Sequence, residues 1–554
     1  MEAETLNAMA RLGVPAEIDL SHYSSVIDVY EQAVKNNGDK PAYSGLGHTL
    51  SFNELRHHAY QFASYLQQHS GLKPGDRIAI QLPNLIQYPV LLYGTLLAGM
   101  VVVNTNPMYL PRELEHQLND SGAKMLIVLA NVADTAAKVV AKTSVEKVLI
   151  TELADLHPFY KRVAINLAAK HLKKLVPDVD IACAVPFLKA LSMGDANKFQ
   201  PVAIDSERLA ALQYTGGTTG VAKGAMLSHR NLVANTLQCK GLFNTFSLQR
   251  GEETIVLPLP FYHIYSFTVG MVMMEQGNHC VLVPDPRNLN DLIKIIKRYP
   301  MSFFCGINTL FVALCNSEQF QDLDFSGLKM TLSGGMALTE DSAKQWHQVT
   351  GVEIHQGYGL TETSPVLSAN PSGGNKPNSI GLPLPSTELL IRNERGQALG
   401  VGEAGELCAR GPQVMAGYWQ RPEDTAEVLD DEGWFATGDI AVLDPDGYFR
   451  IVDRKKDMII VSGFNVYPNE LDHVVSDHPD VLECAAIGVP DPHTGEAVKM
   501  FVVKAKPTLT EQVLRDYCKQ QLTAYKVPST FVFVDDLPKS AVGKILRREL
   551  RPGN

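Results

Sequence analysis

Residues 214–224 read Tyr214-Thr215-Gly216-Gly217-Thr218-Thr219-Gly220-Val221-Ala222-Lys223-Gly224. Four glycines, three threonines and one lysine fall within eleven positions. Glycine lets backbone N–H groups turn toward an oxyanion, and threonine hydroxyls add donors for phosphate oxygens. The apolar run at residues 209–212 precedes the stretch, and Ser228-His229-Arg230-Asn231 after it reads as the start of a capped helix. That context suits a phosphate-binding loop. The common nucleotide loop needs Gly-Lys-Ser/Thr after a four-residue gap. Here Ala222 precedes the lysine and Gly224 follows it, which argues against that class. Taken alone, the string also fits a flexible Gly/Thr surface loop.

The rest of the chain frames this loop. Its 554 residues allow three or four domains. A hydrophobic fraction of 45% and a charged fraction of 20% are those of an ordinary globular protein. The net charge of −11 argues against nucleic acid as the main partner. Eight cysteines are scattered with no CxxC pair or metal spacing. With no signal sequence evident, they read as reduced and buried, in a cytoplasmic protein. The longest apolar stretch, residues 88–103, is 16 residues long and contains Pro89, Gly94 and Gly99. That is short of the ~20 needed to span a bilayer, so a core helix leading into a strand is expected. Residues 161–176 carry five Lys/Arg and no acid, interleaved with Val163, Leu167, Leu172 and Leu175. This pattern fits a solvated helix packed on its own domain, and also a helix lying on an anionic membrane surface.

Short apolar runs at residues 77–82 and 124–129 alternate with helical patterns, which predicts an α/β protein with largely parallel sheets. Turn clusters near Pro371-Ser372-Gly373-Gly374 and at residues 396–405 predict a β-rich subdomain. The charged break Asp453-Arg454-Lys455-Lys456-Asp457 separates two strand-like runs. From residue 453 onward the chain holds 14 basic and 14 acidic residues, so the acidic excess lies in the larger N-terminal part.

The loop at 214–224 resembles the signature of adenylate-forming enzymes: acyl-CoA synthetases, luciferases and peptide-synthetase adenylation domains. Further segments match in family order: 258–264 (PLPFYHI), 333–338 (SGGMAL), 357–362 (GYGLTE), 433–439 (GWFATGD), 453–457 (DRKKD), 462–468 (SGFNVYP) and 538–548 (PKSAVGKILRR). The wording is most similar to bacterial long-chain fatty acid–CoA ligases. The resemblance implies an AMP-binding domain over residues 1–452, a hinge at 453–457 and a small mobile α+β domain over 458–554. It implies Mg2+, ATP and CoA as cofactor and co-substrates, a fatty acid as acyl donor, and admits a homodimer and a peripheral place on the inner membrane.

The residue roles it implies are specific. Tyr214, Thr215, Gly216, Gly217, Thr218, Thr219, Gly220 and Lys223 would hold the triphosphate. Gly334, Gly335 and Met336 would wall the adenine, with Gly357, Tyr358 and Gly359 beside it. Thr361 would donate to the α-phosphate and Glu362 would bind Mg2+. Asp439 and Arg454 would hold the ribose, and Lys456 would be the hinge. His263 would orient the substrate carboxylate, and Lys544 would bridge that carboxylate and the α-phosphate. Gly463 and Phe464 would meet the pantetheine of CoA.

Two departures refine the picture. Amino-acid-activating relatives usually carry Asp where Tyr262 stands, and a buried ammonium without a partner is costly. An amino-acid substrate is therefore disfavoured. Ala436 replaces the His usual in the fatty-acid enzymes, which puts one local contact in doubt. The apolar residues Phe267, Val269, Met271, Val272, Met273 and Met274, with Phe303, Phe304 and Ile307, fit either an acyl wall or plain core. The expected reaction is fatty acid plus ATP to acyl-adenylate and pyrophosphate, then transfer to CoA. Alternatives are a medium-chain or aryl acid–CoA ligase, a fatty acyl-AMP ligase serving a carrier protein, a luciferase-like oxidase, and a nucleotide- or lipid-binding sensor.

Overall fold

The computed structural model describes residues 3–215, 222–462, 464–539 and 545–551. They build a mixed α/β molecule with a large N-terminal part containing three sheets and a small C-terminal part containing one. Two of the sheets are mostly parallel, as the alternation of apolar runs and helices predicts. One orders Ala184–Pro186, Lys147–Thr151, Met125–Leu129, Arg77–Gln81, Val101–Asn104, Leu209–Thr215 and Lys223–Ser228. Only its last pair is antiparallel, with Thr215 opposite Lys223 across the glycine-rich loop.

The second large sheet has nine strands. Its centre is a parallel run of His279–Leu282, Thr254–Leu257, Phe303–Gly306, Met330–Ser333 and Ile354–Gly359. Except for Ile354–Gly359, which is largely half-buried, these strands are mostly apolar and almost wholly buried, as parallel strands covered by helices must be. One continuous core joins this sheet to the first, through helix Gln87–Leu97, whose every residue is buried, and helix Ile264–Gln276. Residues 88–103 are thus a core helix running into strand Val101–Asn104.

Four antiparallel strands, Glu388–Arg392, Ala404–Arg410, Phe435–Leu443 and Phe449–Arg454, form the expected β-rich subdomain. The last runs through Asp453 and Arg454, so the turn after it is shorter than the charged run suggests: residues 455–457. Beyond it, Ile459–Val461, Phe464–Val466, Val481–Asp491, Gly495–Lys504 and Thr530–Val534 make a separate sheet with its own core. All eight cysteines are free, and none but Cys183 is even partly exposed. Among the described residues no helix is long and apolar enough to cross a membrane.

Candidate active site

Chain order and sheet polarity bring the motifs together. His263 follows strand Thr254–Leu257, Gly334 follows Met330–Ser333, and Thr361 follows Ile354–Gly359. All three leave the carboxyl ends of parallel strands in one sheet, where open α/β sheets bind ligands. The glycine-rich loop leaves the carboxyl end of Leu209–Thr215 in the other. Gln213 ties the two sheets by donating from Nε2 to the Tyr262 carbonyl at 2.8 Å.

The stems of the loop are described, while Gly216, Gly217, Thr218, Thr219 and Gly220 lie outside the described residues. Tyr214 donates its hydroxyl to Asp120 Oδ2 at 2.7 Å, and Arg421 holds Asp120 Oδ1 at 2.8 Å. On the other stem, His116 Nε2 meets the Ala222 carbonyl at 3.0 Å. Asp120 and His116 share helix Pro111–Ser121, so a single helix grips both ends of the loop. Lys223 pairs with Asp424 and lies 5.4 Å above the Tyr418 ring. Tyr418 in turn donates its hydroxyl to Glu362 Oε1 at 2.7 Å.

Glu362 is buried, and desolvation raises its carboxyl above the ordinary range against the opposing pull of the Tyr418 hydroxyl. Among the described residues no three His, Cys, Asp or Glu gather as a metal cage. Magnesium needs none, since it takes one or two carboxylates together with phosphate oxygens and water. A hard carboxylate such as Glu362, close to the strand that leaves the glycine-rich loop, fits that ion.

The adenine and ribose candidates form a second group. A Cβ on Gly334 would lie 3.3 Å from the Tyr265 ring, whose hydroxyl bonds the Leu332 carbonyl at 3.1 Å. Gly335 has φ +81° with open space beside it, and Met336 is half-buried. Gly359 has no freedom at all: a Cβ there would fall 1.9 Å from the Pro365 carbonyl oxygen. Asp439 and Arg454 stand directly opposite one another on neighbouring strands, with Arg454 Nε 2.9 Å from Asp439 Oδ1. Tyr358 donates to Asp439 Oδ2 at 2.6 Å.

His263 caps helix Ile264–Gln276, its Nδ1 accepting the Tyr265 N–H at 3.3 Å. Burial pushes the imidazole down to about 4, so it is neutral at pH 7. With Nδ1 accepting, the proton sits on Nε2, which is left as a donor. Along the same helix, Thr268 bonds the Ser364 carbonyl at 2.8 Å, fixing the helix to the segment that carries Thr361 and Glu362. Met271, Met273 and Met274 belong to the continuous core, and Met271 lines a packing gap too narrow to admit a water molecule. A surface cleft of about 440 Å3 lined by Tyr23, Arg230 and Val233 shares none of the site residues.

Lys544 and Gly463 lie outside the described residues. Phe464 is exposed and stacks on Tyr525 within the C-terminal part, 4.9 Å between ring centroids. The Lys456 carbonyl accepts from Arg551 at 3.3 Å. Sequence reasoning missed Tyr418, Asp424, Asp120 and Arg421. The hint for Tyr418 was Gly417 before an aromatic pair; Gly417 adopts φ +139° where residues 415–419 join strand Lys223–Ser228.

The sequence matches the AMP-binding enzyme family over residues 30–419 and the AMP-binding enzyme C-terminal domain over residues 470–544. It is 50% identical over 540 residues to a long-chain-fatty-acid–CoA ligase of Escherichia coli O157:H7, covering 97% of this chain and 96% of the relative. A long-chain-fatty-acid–CoA ligase of Bacillus subtilis (strain 168) is 38% identical, over 97% and 96% of the two chains. Among solved structures, ATP-bound MatB from Rhodopseudomonas palustris superposes with a TM-score of 0.82 at 29% identity, over 95% of this chain and 98% of that one. By the extent of these matches, this chain belongs to the AMP-binding enzyme family.

Proposed function

We propose that this chain is a long-chain fatty acid–CoA ligase that works in two steps. Carboxylate oxygen attacks the α-phosphorus of ATP, the bond to the β-phosphate oxygen breaks, and pyrophosphate leaves. The CoA thiolate then attacks the acyl carbon and AMP leaves. The observation that carries the reading is half-identity along nearly the whole chain to long-chain-fatty-acid–CoA ligases. Tyr262 in place of an acidic residue supports it by offering no partner for an amino group.

Bringing two anions together makes charge placement the main task. Lys223 and the loop N–H groups answer the pyrophosphate, and Thr361 donates to the α-phosphate. Glu362 is the candidate ligand for Mg2+, which when bound would offset phosphate charge as the leaving group departs. Asp439, an acceptor in its ionised form, takes the ribose hydroxyls with Arg454. Neutral His263 donates from Nε2 to the substrate carboxylate. Lys544 supplies a cation between carboxylate and α-phosphate, and rotation at the 453–457 joint exchanges it for Gly463 and Phe464 when CoA enters. Lys544→Ala tests this: losing one positioned cation costs about 2.7–4 kcal/mol, roughly 100- to 1000-fold in adenylate formation. Thioester formation from supplied acyl-adenylate should survive. Equal loss in both half-reactions would refute the role.

The reading extends to the surface that meets the substrate's source. Helix Phe159–Leu167 and the turn Ala168–Leu172 are inverted: Asn166 and Ala169 are buried, while Phe159, Tyr160 and Leu172 are 72%, 69% and 82% exposed. Asn166 anchors the helix by accepting the Ala154 N–H and donating to Glu152. An outward apolar face flanked by Lys170, Lys173 and Lys174 suits an anionic lipid surface. Changing those three lysines to Gln should weaken binding to anionic liposomes by about 1 kcal/mol each, with activity on a short soluble acid retained. Unchanged liposome binding would leave a solvated helix.

A further inference from the structure

Lys223 and Glu362, the cation and the carboxylate that the phosphates would meet, are joined by one side chain. Tyr418 presents its ring face to Lys223 Nζ, 5.4 Å from the centroid, and its hydroxyl to Glu362 Oε1 at 2.7 Å. The residue itself is held rigidly. Its N–H donates to Thr425 Oγ1 at 2.9 Å, it bridges Ala225 on the loop's return strand, and Trp419 beside it donates to the Gly224 carbonyl at 2.8 Å. Contacts on either side of it close the circuit: Asp424 pairs with Lys223, and Met415 donates its N–H to the Glu362 carbonyl at 2.8 Å. Tyr418 is buried, while the Lys223 side chain keeps 18% of its surface exposed, so both contacts form largely out of bulk water.

We propose that Tyr418 is a positioning residue for the nucleotide step: its hydroxyl fixes one oxygen of Glu362 so that the other faces the metal–phosphate site, and its ring steadies Lys223. The inference rests on Glu362 as the magnesium ligand. A carboxylate held at one oxygen has lost its rotational freedom before the ion arrives, and the ordering cost is met by the fold. The ring gives the lysine a second attractive surface, so it keeps a favourable contact when Asp424 releases it to a triphosphate.

The test separates ring from hydroxyl. ATP binding is measured by titration calorimetry with Mg2+ and with EDTA, and the unliganded melting temperature is taken for each variant. Tyr418→Phe keeps the ring and should leave ATP affinity in EDTA unchanged. The extra affinity that Mg2+ confers should fall roughly tenfold or more, the weight of one hydrogen bond to a charged group. Tyr418→Leu should also weaken binding in EDTA. Glu362→Gln should abolish the Mg2+-dependent gain, and adding Tyr418→Phe to it should cost nothing more, because both act through one contact. If Tyr418→Phe keeps the full gain, or its loss adds to that of Glu362→Gln, the positioning role is wrong. If Glu362→Gln itself keeps the gain, the metal assignment fails instead.

Discussion

Replacing Asp439 with asparagine isolates the ribose contact with little change of shape. Asp439 is 3% exposed at its side chain and holds two donors, Arg454 Nε at 2.9 Å and the Tyr358 hydroxyl at 2.6 Å. An asparagine can keep both contacts: its carbonyl accepts from Arg454, and its amide donates to a reoriented Tyr358 hydroxyl. What disappears is charge and spare acceptor capacity. Breaking a buried ion pair costs about 3–5 kcal/mol, but Arg454 is 34% exposed and water can take up part of the loss. We therefore expect a stability cost of about 1–2 kcal/mol for the asparagine, with Asp439→Ala worse because it strands both donors. For ATP, losing a charged acceptor to a ribose hydroxyl is worth about 1.5–3 kcal/mol, roughly 10- to 100-fold in kcat/KM. The assay is pyrophosphate release at varied ATP, with the KM for fatty acid measured alongside. A folded Asp439→Asn enzyme with unchanged kcat/KM for ATP would refute the ribose assignment, as would an equal loss toward the fatty acid.

Two further outcomes follow from particular residues. Lys456→Pro fixes φ in the 455–457 turn and restricts Lys455, whose N–H donates to the Gly438 carbonyl at 2.9 Å. It should stop the domain exchange, giving a single turnover of pyrophosphate with little acyl-CoA; a folded variant with both half-reactions intact would move the pivot elsewhere. Burial pushes His229, His263 and His279 down to about 4. Unfolded, they take up protons near 6.5, so their contribution to stability is complete above that pH and lost as pH falls toward 4. All three tryptophans, Trp346, Trp419 and Trp434, lie in the N-terminal part. The urea midpoint read by their fluorescence should therefore drop between pH 7.5 and 5.5, the unfolding free energy falling below pH 6.5 by up to about 1.4 kcal/mol per imidazole per pH unit. A midpoint that holds or rises would contradict the buried neutral state.

Legibility tracked how local the cause was. The capped helix after the loop was readable because Ser228 and Asn231 bond each other across one turn. The strands Arg77–Gln81 and Met125–Leu129 were readable because short, nearly continuous apolar runs between helical patterns leave few other conformations. Asp439 and Arg454 were found by motif, and the structure makes them a cross-strand pair in a hairpin of which only the second strand, before the charged break, was marked. Tyr418 and Asp120 were not readable. Tyr418 reaches a partner 56 positions away and Asp120 one 94 positions away, each from an aperiodic loop or helix end. The inverted helix at residues 159–172 was half legible: its charge was plain, but only the fold shows that its apolar side faces out.

On the proposed mechanism, the assembled site activates a fatty acid as its adenylate and passes it to CoA. Pyrophosphate release across a series of carboxylic acids, with and without CoA, tests it most directly. Release should rise with acyl length, continue over many turnovers only with CoA, and yield acyl-CoA and AMP in equal amounts. Release that favours short or aromatic acids, or that turns over fully without CoA, would contradict it.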